Sequence, residues 1–140
     1  ELFFVLKKYF AEKDPEGYVF PAPLDITFHD TTVVQPDILY VAGTQKEIME
    51  AARINGPPML VVEILSPATR RKDRVKKMQI YQHENVRHYW LVDPVAKTLE
   101  CFALRGGLYA LVASGMDTET VKHPDFDGLA IDLGALWLTP

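Results

Sequence analysis

The sequence has only one cysteine, Cys101, in 140 residues, which excludes an intrachain disulfide. No Cys-x-x-Cys pair occurs. His29, His83, His88 and His123 do not fall at zinc-ligand spacing, so each reads as a surface or packing histidine. Long apolar runs are also missing: stretches such as 59–62 fall far short of the roughly 20 residues a membrane helix needs. The apolar start at residues 2–6 runs into lysines without a small-residue cleavage site, unlike a signal peptide. Internal repeats and low-complexity segments are absent. These absences lead us to expect a soluble, cytoplasmic protein that uses no membrane, with Cys101 a small core side chain within the apolar run 99–104. With no initiating methionine, the chain is expected to begin inside a longer N-terminal region.

What is present is ordinary globular composition, 48% apolar and 24% charged, in a length that suits one domain spanning residues 1–140. The net charge of −4 argues against nucleic-acid binding over the whole surface. That charge is uneven, however. Residues 70–77 hold Arg70, Arg71, Lys72, Arg74, Lys76 and Lys77 against Asp73 alone, a segment of about +5 on a body of about −9. Such a stripe is either a solvated helix face or a contact surface for a polyanion.

Helical spacing of Leu2, Val5, Leu6 and Tyr9 predicts an amphipathic helix over residues 2–10, ended by the turn chemistry of Asp14-Pro15-Glu16-Gly17. Short strands follow at 18–20 and 24–28, expected to lie side by side, then an extended stretch at 33–41 interrupted by Pro36. Asp30 belongs to the turn between them. Residues 42–56 read as a loop with a helical turn. The apolar run 59–65, broken only by Glu63, is the best central strand. Ser66 and Thr69 are suited to capping the next helix, with Pro67 at an early position, and that helix is predicted over 69–84 with Val75, Met78 and Tyr81 on roughly one face. Residues 88–92 form an aromatic strand stopped by Asp93-Pro94, with Trp90 in the core and Tyr89 on the opposite, less buried face. Arg105-Gly106-Gly107 marks a hairpin between 98–104 and 108–113, and the tail gives a short strand at 129–133 before a helical turn at Leu136 and Trp137.

Two acids stand out. Asp37 follows Pro36 at the mouth of one strand, and Glu63 interrupts an apolar one, where a bare buried carboxylate costs several kcal/mol. A magnesium or manganese site needs hard oxygen ligands of this kind. Alternatively, Glu63 faces solvent or pairs with an arginine, and Asp37 is a turn acid. Asp73, one helical turn before Lys77, pairs with it on the surface or positions it. Tyr81, a turn later, is a packing aromatic or a participant in the chemistry. Ser66 has no accompanying histidine and acid, so a serine hydrolase is not indicated.

Read together, Val34-Gln35-Pro36-Asp37, Val61-Val62-Glu63-Ile64-Leu65-Ser66-Pro67, the Asp73, Lys77, Tyr81 series and Tyr89-Trp90-Leu91-Val92-Asp93-Pro94 resemble the Uma2 family, restriction-endonuclease-like proteins of the PD-(D/E)XK nuclease superfamily. The likeness extends from Pro23 to about Tyr109. It implies an α/β fold: a restriction-endonuclease-like core with a mixed central sheet flanked by helices and an acidic site at the sheet's edge. It also implies a Mg2+- or Mn2+-dependent endonuclease acting on DNA, with Asp37 and Glu63 as metal ligands and catalytic acids. Leu65 departs from the superfamily pattern by standing where the lysine belongs. The lysine role passes by resemblance to Lys77, with Lys76 as alternative, and Asp25 becomes an additional acid of the site. Arg70, Arg71, Lys72, Arg74 and Lys76 would contact phosphates, and a homodimer would suit two-strand cleavage. The competing expectation is a nuclease-fold protein that binds nucleic acid or a protein partner without cutting, since fold alone does not fix function.

Overall fold

The run at 59–65 folds as the inner strand of the main sheet, for the reason its composition suggests: β-branched and aliphatic residues pack on both faces. In the computed structural model, which describes residues 1–29, 31–68 and 71–137, this strand is Leu60–Ile64, and Leu60, Val61 and Val62 are fully buried. In chain order the elements are α1 (Leu2–Lys13), β1 (Tyr18–Pro21), β2 (Asp25–Phe28), β3 (Thr32–Val34), β4 (Ile38–Val41), a 3-10 segment (Gly43–Ile48), β5 (Arg53–Asn55), β6 (Leu60–Ile64), α2 (Arg71–His83), β7 (His88–Asp93), β8 (Thr98–Arg105), β9 (Leu108–Met116), β10 (Thr120–Lys122), β11 (Ala130–Asp132) and α3 (Leu133–Leu136). Asp30, Thr69 and Arg70 lie outside the described residues, and with them the predicted start of the second helix.

The main sheet has six strands in the order β1-β4-β6-β7-β8-β9. All neighbours are antiparallel except β6 and β7, which are parallel and joined by α2, the crossover that parallel neighbours require. The fold is therefore mixed α/β. Alternation along the strands sends Leu60, Val62, Trp90 and Val92 to the face covered by α1, and Val61, Tyr89 and Leu91 to the face covered by α2. On the first face Leu2, Leu6 and Phe10 form a buried stripe at four-residue spacing, and the Phe10 ring stacks on Tyr40 at 3.7 Å. The Asp14 carboxylate ends α1 by accepting from the Tyr40 hydroxyl and, at 2.8 Å, from the Gly43 amide. Gly17 is required there, because a Cβ would stand 2.5 Å from Asp14 Oδ2 and 2.9 Å from the Val41 carbonyl oxygen.

Several expectations need correction. β1 and β2 do not pair: β1 joins β4, and β2 leaves for a separate three-stranded sheet in the order β3-β2-β5. Pro21 ends β1 and Pro23 lies between the two strands, and neither has the N–H donor a shared ladder would use. Tyr89 is as buried as Trp90, because α2 covers its face and the Tyr81 and Tyr109 rings lie 5.5 and 5.7 Å away. Val75 is 48% exposed: it lies on the outer side of α2 beside Lys72, Lys76 and Gln79, while Met78 and Tyr81 pack towards the core. The hairpin after Arg105 forms as its residues dictate, with Gly106 and Gly107 at φ 62° and 83°. Cys101 is fully buried. His29 and His83 are at the surface, whereas His88 and His123 are buried in a cluster with Trp90 and Phe126, where the His123 Nδ1 accepts from the Asp125 amide at 3.0 Å.

Candidate active site

The β4–β6 register places the two acids together. Ile38 faces Val62 and Leu39 faces Val61, so one further step sets Asp37 opposite Glu63 on the face that also carries α2. The Asp37 amide donates to the Val62 carbonyl at 3.0 Å, and its Oδ2 accepts from the Ile64 amide at 2.6 Å. The carboxylate thus caps the end of β6, where Pro36 begins to lead the partner strand away. This position is internal: β6 is a central strand, so the acids sit at strand ends within the sheet and not at its lateral edge.

Glu63 is 6% exposed. The burial cost predicted for it is met from α2, where Lys77 and Tyr81, four residues apart and hence on one helix face, both reach the carboxylate. The Tyr81 hydroxyl donates to Glu63 Oε2 at 2.6 Å, and the Lys77 ammonium contacts Oε1 at 3.2 Å. Burial holds the Glu63 carboxyl above the usual range; Tyr81 and Lys77 oppose that shift, and the Asp37 charge adds to it. Burial and the Glu63 charge raise the Tyr81 phenol well above its ordinary value, so it remains a donor.

The cleft before these groups has a volume of about 260 Å3 and includes Gln35, Asp37, Glu63, Leu65, Ser66, Arg74 and Lys77 in its lining. Leu65, two residues beyond Glu63, faces the same side of the strand and keeps the position apolar where the superfamily pattern has an ammonium. Asp25 does not line the cleft: its Oδ1 accepts from the Gln35 side-chain amide at 2.5 Å and so holds a residue that does. Asp73 forms no ion pair with Lys77, whose ammonium goes to Glu63; it lines a neighbouring cleft with Lys76. Lys76 is absent from the carboxylate cleft, Lys72 faces outward along α2, and Arg70 lies outside the described residues. Sequence reasoning missed Gln35, whose one available signal was its place two residues before Asp37, and it missed that Arg74 borders the carboxylates.

The donor set suits a hard divalent cation: two carboxylates with room for water and phosphate oxygens. Among the described residues no group of three or more His, Cys, Asp or Glu side chains could hold a metal ion, so a softer, histidine-rich centre is not present there.

A mixed sheet with helices, whose inner strands bring Asp37 and Glu63 together at their ends, defines an α/β class, and comparison with solved structures agrees on the fold. A crystal structure from Anabaena variabilis described as "a putative nuclease belonging to DUF820" is similar with a TM-score of 0.74 and 20% identity, over 97% of this chain and 75% of that one. The Uma2 family, described as "Putative restriction endonuclease", matches residues 1–134, and the chain belongs to that family. No curated protein matches the sequence.

Proposed function

We propose that the protein is a Mg2+- or Mn2+-dependent endonuclease that hydrolyses DNA phosphodiester bonds, with Asp37 and Glu63 as metal ligands and Lys77 as the group that assists the attacking water. The observation that carries this reading is the cross-strand placement of Asp37 and Glu63 with Lys77 on Glu63 Oε1. When bound, the metal would act as a Lewis acid and lower the pKa of a coordinated water. The chain's own residues supply the rest. Tyr81 fixes Oε2 and thereby aims Oε1 at the cleft. Lys77, 43% exposed, is mobile enough to turn from Glu63 to the attacking oxygen or to charge developing on the phosphoryl group. The basic residues of α2 would hold the substrate through phosphate contacts that are independent of sequence and sensitive to salt.

The direct test is calorimetric titration of Mg2+ and Mn2+ into the protein and its Glu63→Gln variant, with a plasmid-nicking assay on both. Binding and nicking that disappear together in the variant support the reading. A protein that neither binds the ions nor nicks DNA would refute it. A second reading, a nucleic-acid-binding protein that does not cut, is favoured by one observation: both Glu63 oxygens already have partners within the chain. It predicts DNA binding that Glu63→Gln leaves unchanged, and no nicking by either form.

A further inference from the structure

Beside the carboxylate cleft lies a second one of about 380 Å3, lined by Leu65, Ser66, Pro67, Arg71, Arg74, Asp93 and Val95. The two clefts share Leu65, Ser66 and Arg74, so Arg74 stands on the border between them. Arg71 and Arg74, three residues apart, project from one side of α2. Neither forms an ion pair with a carboxylate among the described residues. The acid in this cleft, Asp93, has its Oδ1 committed to the Val95 and Ala96 amides, each at 3.0 Å, within the turn after β7. Another neighbouring cleft differs in character: there Lys76 and Lys77 share a mixed lining with Asp73, Thr31, Thr32, Val33, Val34 and Ile80, so its ammonium groups have a carboxylate beside them. Of the basic residues of α2, Arg71 and Arg74 are the two that line the cleft adjoining the acids at Leu65 and Ser66, and among the described residues no lysine lines it.

We propose that Arg71 and Arg74 form a distinct phosphate subsite that receives the backbone phosphate next to the one at Asp37 and Glu63. The ligand is the phosphodiester of a polynucleotide strand. Planar guanidinium groups suit bidentate contacts to phosphate oxygens, and a cleft that shares Leu65, Ser66 and Arg74 with the acidic one places both within reach of a single strand. This subsite deepens the nuclease reading and rests on it for the role of the neighbouring acids, but its binding is measurable without cleavage.

The experiment is fluorescence anisotropy of a labelled single-stranded oligonucleotide in EDTA, where no metal-dependent step contributes. Arg74→Gln and Arg71→Gln should each weaken binding about tenfold and lower the salt slope by about one, whereas Lys122→Gln, which removes one charge from β10, should weaken it less than about threefold. Thermal melting of each variant checks folding. Asp93→Asn should strengthen binding by removing a carboxylate from the cleft. Equal losses for Arg74→Gln and Lys122→Gln would overturn the subsite and leave the nuclease reading intact, because that reading is judged by nicking. Selective loss at the arginines in a protein that never nicks DNA would retain the subsite and refute the nuclease. Inorganic phosphate is titrated separately: binding tighter than that of the strand would assign the cleft to free phosphate and overturn the proposal as stated.

Discussion

Lys77 and a bound metal ion would compete for the same atom, and this can be measured. The Lys77 ammonium lies 3.2 Å from Glu63 Oε1, the oxygen left available once Tyr81 has taken Oε2. A cation entering between Asp37 and Glu63 must displace that ammonium. At 3.2 Å the pair is worth about 5 kcal/mol at an effective dielectric near 20, and because the lysine side chain is 43% exposed, solvent screening reduces this to about 1–2 kcal/mol. Lys77→Gln should therefore bind Mn2+ roughly 5- to 30-fold more tightly than the parent protein, by the usual conversion of free energy to affinity. Under the proposed function, in which Lys77 assists the attacking water, nicking should fall in the same variant. The assay is calorimetry on the parent, Lys77→Gln and Glu63→Gln, beside nicking on the same preparations. Metal binding that weakens or stays constant in Lys77→Gln would refute the shared-oxygen argument, whatever happens to activity.

Tyr81→Phe removes a donor from a buried carboxylate and should cost about 1–3 kcal/mol in chemical denaturation, with a further rise in the Glu63 pKa visible by carboxyl NMR. An unchanged Glu63 titration would show that the hydroxyl does not hold the charge. Asp25→Asn should change stability by less than about 1 kcal/mol and leave metal binding in place, because Asp25 acts on the exposed Gln35 side chain; abolished metal binding would instead make Asp25 a ligand. Burial, then the neighbouring His123, pushes the His88 pKa down to about 4. The unfolded chain therefore takes up this proton first as pH falls. The stabilisation is fully present above about 6.5, is lost as pH drops towards 4, and amounts to about 3 kcal/mol over that window. His88→Phe should flatten the stability profile between those limits, and an identical slope in the variant would assign the effect elsewhere.

Much of the fold was legible wherever local pattern and burial agree. The central strand, the aromatic strand after α2 and the glycine hairpin all follow from runs whose alternation or turn chemistry leaves little choice. The partner of β1 was not legible, because pairing is decided by the whole sheet and the sequence between β1 and β2 reports only that proline interrupts it. Tyr89 shows the same limit: alternation correctly sends it opposite Trp90, but says nothing of the helix that covers that face. At the site, the anomaly of an acid in an apolar strand pointed to Glu63. Its partners were distributed over α2, and the Lys77 to Tyr81 spacing gained meaning only once the helix was known to lie across the strand.

The position of Leu65 links these points. Glu63 in β6 and Leu65 just beyond its end both line the cleft, so a lysine at 65 would approach the carboxylate along the strand direction, with its reach fixed by the sheet. Here the ammonium comes from α2, and the same helix face brings Tyr81 to the second oxygen and, one turn before Lys77, Arg74 to the edge of the cleft. The helix lysine is therefore coupled to the elements that hold Glu63 and border the carboxylate cleft. A shift of α2 along the sheet would alter the carboxylate's partners, the lysine's reach and the adjoining arginine cleft together, whereas a strand lysine would leave those features independent.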